Sequence, residues 1–72
     1  METTEIITIV VNGESKDVPG GITVARLLEL LGLAAGRVAI ERNQRILSRA
    51  EWAATWVAAG DRYEIVQFVG GG

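Results

Sequence analysis

The sequence ends in three consecutive glycines, residues 70–72, which follow Phe68 and Val69. Glycine has no reactive side chain, so the group that could do chemistry here is the C-terminal carboxylate of Gly72. A segment without Cβ atoms passes through a channel that is too narrow for other residues. Three extended residues span about 10 Å, which would carry the carboxylate from a docked domain into a neighbouring active site. The alternative is an inert, frayed end.

The rest of the composition excludes most catalytic chemistry for this chain by itself. There is no Cys and no His, and therefore no thiol nucleophile and no side chain whose ordinary pKa lies near neutral. The same absence removes the usual zinc ligands, and Glu41, Glu51 and Glu64 do not have metal-binding spacing. We expect a protein that is not an enzyme and that binds neither a metal nor a cofactor.

Charge and hydropathy narrow the class of partner. The formal net charge is -2, from 7 Lys and Arg against 9 Asp and Glu, without a basic cluster. This pattern argues against nucleic acid as a partner. The apolar runs are too short to span a bilayer, and the first residues do not resemble a signal peptide. We expect a cytoplasmic protein that does not act at a membrane.

The first half of the chain predicts a hairpin followed by one helix. Residues 5–11 are rich in β-branched side chains, and Asn12-Gly13 is a hairpin-turn signal before a polar edge strand at residues 14–18. Thr23 is placed to cap the helix at its start, and Gly32 to end it. The apolar stripe of this helix consists of Val24, Leu27, Leu28 and Leu31.

The second half predicts three more strands. Residues 37–43 and 45–47 read as strands joined at Asn43-Gln44, the S-x-x-E spacing from Ser48 indicates a helical turn, and residues 62–69 form the last strand. A hairpin, a crossover helix and a last strand parallel to the first are typical of the α+β β-grasp (ubiquitin-like) fold, with a mixed sheet of about five strands on one helix. We expect this domain at residues 1–69 and a flexible tail at residues 70–72.

Both faces of the predicted sheet are apolar, although one helix covers only one of them. We assign Ile7, Ile9 and Val11 to the covered face. The outward set consists of Ile6, Val10, Ala39, Val66 and Phe68. We expect it to form one partner-binding patch beside the tail. Periodicity alone does not fix which set is inside, and Trp52 and Trp56, four residues apart on one helical face, could instead cover the outward set.

Two further groups are interpreted as structural. Asp61 precedes the last strand and reads as a turn residue rather than a ligand. Arg42, Arg45 and Arg49 read as a solvated, positively charged edge, although they could also pair with acidic groups of a partner.

Five segments that cover nearly the whole chain occur in an order and spacing shared with a known family. They are VNGE (residues 11–14), TVARLLELLG (23–32), VAIERN (38–43), ILSRAEWA (46–53) and GDRYEIVQFVGGG (60–72). In these segments the chain resembles the ThiS family, the bacterial sulfur carriers of thiamine (thiazole) biosynthesis. It departs from the family at Gln67, where many relatives have His, and at Gln44, where a small turn residue is common.

The resemblance implies a sulfur carrier that is the substrate of its partners. A ubiquitin-activating-like enzyme would use ATP to adenylate the carboxylate of Gly72, and a sulfur donor such as a cysteine desulfurase would supply a persulfide. Thiazole synthase would then take the sulfur from the resulting thiocarboxylate. Gly71 would be the second glycine of the pair, with Gly70, Val69 and Phe68 guiding the tail. The partner-binding side chains would be Phe68, Val69, Val66, Ile6 and Val10.

Three rival functions remain open. The small subunit of molybdopterin synthase shares the fold and the Gly-Gly end, but tends to have a proline near the tail, whereas Pro19 is the single proline here. A ubiquitin-like modifier would form an isopeptide bond instead of a thiocarboxylate. A simple binding module would leave the glycines unmodified.

Overall fold

A computed structural model of the chain describes residues 5–33 and 35–68. Five strands form one mixed sheet in the order β2-β1-β5-β3-β4. The strands are β1 (Ile6–Val11), β2 (Glu14–Pro19), β3 (Val38–Arg42), β4 (Arg45–Leu47) and β5 (Arg62–Gln67). One helix, α1 (Val24–Leu30), and two short 3-10 helices, Ala35–Arg37 and Arg49–Glu51, complete the fold. The β-grasp architecture predicted from the sequence is confirmed.

Two central strands run parallel, and hairpins flank them. β1 and β5 pair in parallel with Val10 opposite Arg62, whereas β1 with β2, β3 with β4 and β3 with β5 are antiparallel. β5 therefore begins beside the end of β1 and continues beyond it. This offset determines which outward side chains are neighbours at the end of β5 that leads to the tail.

The helix covers one face of the sheet, as predicted. Ile9 and Val11 are buried, Ile7 is half-buried, and Tyr63 and Ile65 of β5 point to the same side. The core also contains Val18, Ile22, Val24, Leu27, Leu28, Val38, Ile40, Trp52 and Val57. At about 25 cal/mol per Å² of apolar surface, this burial is the main stabilising term for a chain that has no cysteine.

Both ends of α1 have their backbone groups satisfied. At the start, the Thr23 side chain accepts from the backbone N–H of Arg26 at 3.2 Å. The N–H groups of Val24 and Ala25 donate to the backbone of Thr55 and Trp52 at 2.9 and 3.1 Å. The segment after the second 3-10 helix thus supplies the acceptors that the first turn of a helix lacks.

The end of α1 is a Schellman motif. Gly32 has φ +73, its N–H donates to Glu29 O, and the N–H of Leu33 donates to Leu28 O, each at 3.0 Å. Only a residue that tolerates positive φ fits at this position, which is why the glycine marks the helix end.

The expectation that the two tryptophans share a face is wrong. The 3-10 helix ends at Glu51, Trp52 caps it, and helical spacing does not continue to Trp56. Trp52 is buried and donates its indole N–H to Leu47 O at 3.1 Å. Trp56 pairs with Thr23 in an isolated β-bridge and leaves 60% of its surface exposed. The second tryptophan therefore does not join the first in covering the sheet.

Candidate functional site

The end of β5 positions the start of the tail. The backbone N–H of Phe68 donates to the carbonyl of Arg37, the residue just before β3, at 2.7 Å, so the chain is held up to Phe68. The Phe68 side chain remains 56% exposed. Val69 and the glycines Gly70, Gly71 and Gly72, which include the candidate reactive carboxylate, lie outside the described residues. The described part of the candidate site is therefore the surface next to Phe68, where the tail begins.

A small apolar groove lies on the outward face of β5, β3 and β4. Strand register places Ala39 opposite Val66 and Glu41 opposite Glu64, while Ile46 of β4 lies opposite Glu41. These residues line a groove of ≈ 230 Å³, apolar along Ala39, Ile46 and Val66 and acidic at Glu41 and Glu64. The groove is two residues from Phe68 along β5.

Ile46 is the part of this surface that sequence reasoning missed. It is 83% exposed, the most exposed large apolar side chain among the described residues. The signal was present in the sequence. Alternation in the three-residue strand β4 leaves Leu47 half-buried and points its neighbour Ile46 outward.

The outward apolar side chains form two separate groups rather than the one patch expected. Val10 is opposite Arg62, so Ile6 lies four residues before that point and Val66 four residues after it. The two side chains are therefore about 26 Å apart along the strand direction. Half-buried Val10 lies midway between them, and Thr8 of β1 and Arg62 and Glu64 of β5 occupy the other outward positions of the gap. Val66 and Phe68 are near the tail, whereas Ile6 is at the opposite end.

A second cluster of polar side chains surrounds Asp61, which precedes β5 and is 5% exposed. Its Oδ2 accepts from the Ala58 N–H at 2.9 Å, from the Tyr63 hydroxyl at 2.8 Å and from Arg42 Nε at 3.0 Å. Its Oδ1 accepts from Asn43 Nδ2 at 3.1 Å. Asp61 does more than form a turn, because it joins three segments of the chain.

Arg42 is therefore not part of a solvated edge. Both its Nε and its Nη2 lie 3.0 Å from Asp61 Oδ2, and its side chain is only 28% exposed. Burial alone would raise the pKa of Asp61. The donated hydrogen bonds from Ala58, Asn43, Tyr63 and Arg42 outweigh burial and hold that pKa below its ordinary value of 3.8. Burial, reinforced by Asp61, raises the pKa of the Tyr63 hydroxyl.

The chemistry of the described residues gives no sign of a metal centre. Within residues 5–33 and 35–68, no three Asp or Glu side chains are grouped so that they could hold a metal ion. Over the same residues, no helix is long and apolar enough to cross a membrane.

The comparison with protein families agrees with the resemblance seen in the sequence. The profile of the ThiS family matches residues 9–72, which include the whole sheet except the start of β1 and extend through the last glycine. The chain belongs to the ThiS family. The match includes the candidate reactive residue Gly72, although that residue lies outside the part that the structure describes.

Solved structures resemble this ThiS-family chain in fold. The thiamine biosynthesis protein ThiS from Geobacter metallireducens is 38% identical, with a TM-score of 0.77 over 92% of this chain and 100% of that protein. A designed protein based on human erythrocytic ubiquitin has 18% identity and a TM-score of 0.51 over 100% of this chain and 98% of its own. The second likeness concerns the fold alone and supports the ubiquitin-like assignment.

A sequence relative places a similar region within a larger protein. A thiazole synthase from Paramagnetospirillum magneticum is 42% identical over 64 residues, which are 89% of this chain and 20% of that protein. The chain thus spans about a fifth of the length of the curated relatives it matches first.

Proposed function

We propose that this chain is a sulfur carrier of thiamine biosynthesis whose working group is the carboxylate of Gly72. The family match that runs through residue 72 carries this proposal. The likeness to a thiamine biosynthesis protein and to thiazole synthases supports it. The absence of Cys and His fits a carrier, because the sulfur resides on the terminal carboxyl carbon rather than on a side chain.

The proposed chemistry needs partners at each step. A carboxylate is a poor electrophile, so a ubiquitin-activating-like enzyme converts it with ATP to an acyl-adenylate and releases pyrophosphate. A cysteine persulfide attacks the acyl carbon and AMP leaves. A second thiol then cleaves the sulfur–sulfur bond, which yields the thiocarboxylate and a disulfide. Thiazole synthase is the proposed acceptor of this sulfur. The chain itself contributes the reactive carboxylate and the surface that presents it.

Intact mass measurement tests the carrier proposal. The chain is incubated with the cognate activating enzyme, ATP and a sulfur donor such as a cysteine desulfurase with cysteine. We expect a mass increase equal to sulfur replacing one oxygen. Parallel samples without ATP, and with a chain that lacks Gly72, should show no increase. An unmodified parent chain, with an enzyme that modifies another carrier, would disprove the proposal, and an isopeptide product would favour the modifier function.

The two outward apolar groups offer matched variants for locating the enzyme contact. Phe68 and Ile6 are 56% and 60% exposed, so replacing either with Asp has a similar, small effect on folding. We expect Phe68→Asp, at the start of the tail, to lower the rate of thiocarboxylate formation strongly. Ile6→Asp, at the opposite end, should leave it near the parent rate. Equal rates for both variants would place the enzyme contact elsewhere.

A further inference from the structure

Two carboxylates face each other on the outward side of the sheet. Glu41 and Glu64 are direct partners in the antiparallel pairing of β3 and β5, and both line the apolar groove. Like charges directly opposite each other destabilise a sheet. Among the described residues, none donates a hydrogen bond or forms an ion pair with either carboxylate, although Arg62 is on the same face.

Three other carboxylates among the described residues have close partners. Glu29 lies 2.8 Å from Arg26, and Glu51 accepts from the backbone and hydroxyl of Ser48 at 3.1 Å. Asp61 accepts from four residues. From their direct pairing across β3 and β5, we expect Glu41 and Glu64 to destabilise the free domain. A partner that supplies a cation would relieve that cost on binding.

The dimensions of the groove indicate what fits it. Small-molecule sites usually enclose about 300–1,000 Å³, whereas this groove holds ≈ 230 Å³ and is open to solvent. That space suits a side chain of a docked protein. Ile46 and Val66, 83% and 58% exposed, provide its apolar wall and would be covered by an aliphatic side chain of the partner.

The acidic side of the groove favours arginine as the cation. A guanidinium has five donors in a planar fork and can bridge two carboxylates, whereas a lysine ammonium is a compact point charge. The arginine stem also packs along apolar surface such as Val66 and Ile46. A metal ion would need further ligands, and no third acidic side chain joins the pair in the described part of the chain.

The groove is close enough to the tail to serve the same enzyme. Val66 is two residues before Phe68, and residues 69–72 span about 13 Å when extended. An enzyme that binds the groove can therefore also bind the carboxylate of Gly72 in its active site. We propose that the groove binds an arginine-bearing segment of the activating enzyme, an inference that rests on the proposed function. The guanidinium lies between Glu41 and Glu64, and an adjacent aliphatic side chain of the enzyme covers Ile46 and Val66.

The test uses the double variant Glu41→Gln/Glu64→Gln, which keeps size and removes both charges. Calorimetric titration of the activating enzyme should show binding about tenfold weaker or more, with less dependence on salt. The same variant should raise the Tm of the free domain by about 1–4 °C, because the repulsion is gone. Lower affinity together with higher stability is the signature, since damage to the fold would lower both.

A matched control removes the same charge elsewhere. Glu14→Gln/Glu29→Gln changes two exposed residues outside the groove and should leave affinity within about twofold of the parent, apart from general electrostatic attraction. Equal binding by the groove variant and the parent would overturn the proposal. So would a loss of affinity of the same size in both double variants, because net charge would then be the cause.

Two further measurements separate this inference from the proposed function. Thiocarboxylate formation by the parent chain, followed by intact mass, tests the function without reference to the groove. If the parent is converted and the groove variant binds the activating enzyme normally, only the groove assignment fails. Titration of thiazole synthase is the second measurement. A groove variant that loses affinity for the synthase alone would overturn the activating enzyme as the occupant.

Discussion

The same sheet holds two acidic sites that differ in what their charges contact. Asp61, beside the start of β5, is 5% exposed and accepts hydrogen bonds from Ala58, Asn43, Tyr63 and Arg42. Glu64, further along β5, faces Glu41 of β3 on the outward side of the sheet, and neither carboxylate has such donors among the described residues. One carboxylate holds segments of this chain together, and the other two are available to another protein.

The difference follows from exposure. A buried charge must be paired and hydrogen-bonded within the fold, because water does not reach it. A surface carboxylate is solvated and can remain unpaired at a small cost, until a partner excludes the water. Buried Asp61 is therefore a poor candidate for partner recognition despite its perturbed pKa. The groove, which is open to solvent beside the start of the tail, is the better candidate.

The largest effect is expected from removing the buried charge. Asp61→Asn keeps the shape, but leaves Arg42 without its counter-ion and turns an amide N–H₂ toward one of the donors. We expect a loss of about 3 kcal/mol in the free energy of unfolding, measured by urea denaturation. The control is Asp17→Asn, an exposed residue whose carboxylate accepts one bond, from Thr8. Asp17→Asn should lower the free energy of unfolding by less than about 1 kcal/mol. Equal losses from the two variants would contradict the assignment of Asp61 as the carboxylate that holds the fold together.

The stabilisation by the ionised Asp61 carboxylate should also appear, as a smaller effect, in the pH dependence of the unfolding free energy. The pKa of Asp61 is lowered in the folded state, so its contribution is complete well above 3.8 and is lost as the pH falls through the lowered folded-state value. The difference in unfolding free energy between parent and Asp61→Asn should therefore narrow from about pH 5 to about pH 2. Urea titrations at several pH values measure it. A difference that stays constant over this range would show that the charge of Asp61 does not stabilise the fold.

Local patterns were enough to predict the elements. The helix start at Thr23, its end at Gly32 and the hairpin turn at Asn12-Gly13 each depend on residues within a few positions of one another. Alternation also separated the two faces of β1, and the assignment of Ile7, Ile9 and Val11 to the covered face is confirmed. Such signals do not depend on how the strands are arranged in space, so the fold class was predictable from the sequence.

The site depended on non-local geometry, which the pattern could not supply. The offset between β1 and β5 separates Ile6 from Val66, and sequence alternation does not contain that offset. The contacts of Asp61 with Arg42 and Asn43 cross 19 and 18 residues of sequence. Trp56 was misplaced for a related reason, because a capping signal predicts where a helical turn begins but not how soon it ends.

Two hairpin turns provide the smallest and most local test. Asn12-Gly13 has φ values of 51 and 84, and Asn43-Gln44 has φ values of 50 and 70. The left-handed conformation is easy for Gly13 and strained for Gln44. Gln44→Gly should therefore stabilise the domain by about 0.5–1 kcal/mol. The reciprocal change, Gly13→Gln, should destabilise it by about 1 kcal/mol through strain alone, because a Cβ at Gly13 meets no atom within 4 Å.

The Asn43-Gln44 turn also connects the two acidic sites, so the Gln44→Gly variant is informative about both. Asn43 donates to Asp61, while Gln44 lies beside Glu41, Glu64 and Arg62 in a wider hollow of ≈ 470 Å³. If the buried site serves the fold and the groove serves the partner, Gln44→Gly should raise the urea midpoint and leave affinity for the activating enzyme unchanged. A variant that gained stability but lost affinity would extend the partner surface across this hollow, away from the apolar side chains near the tail.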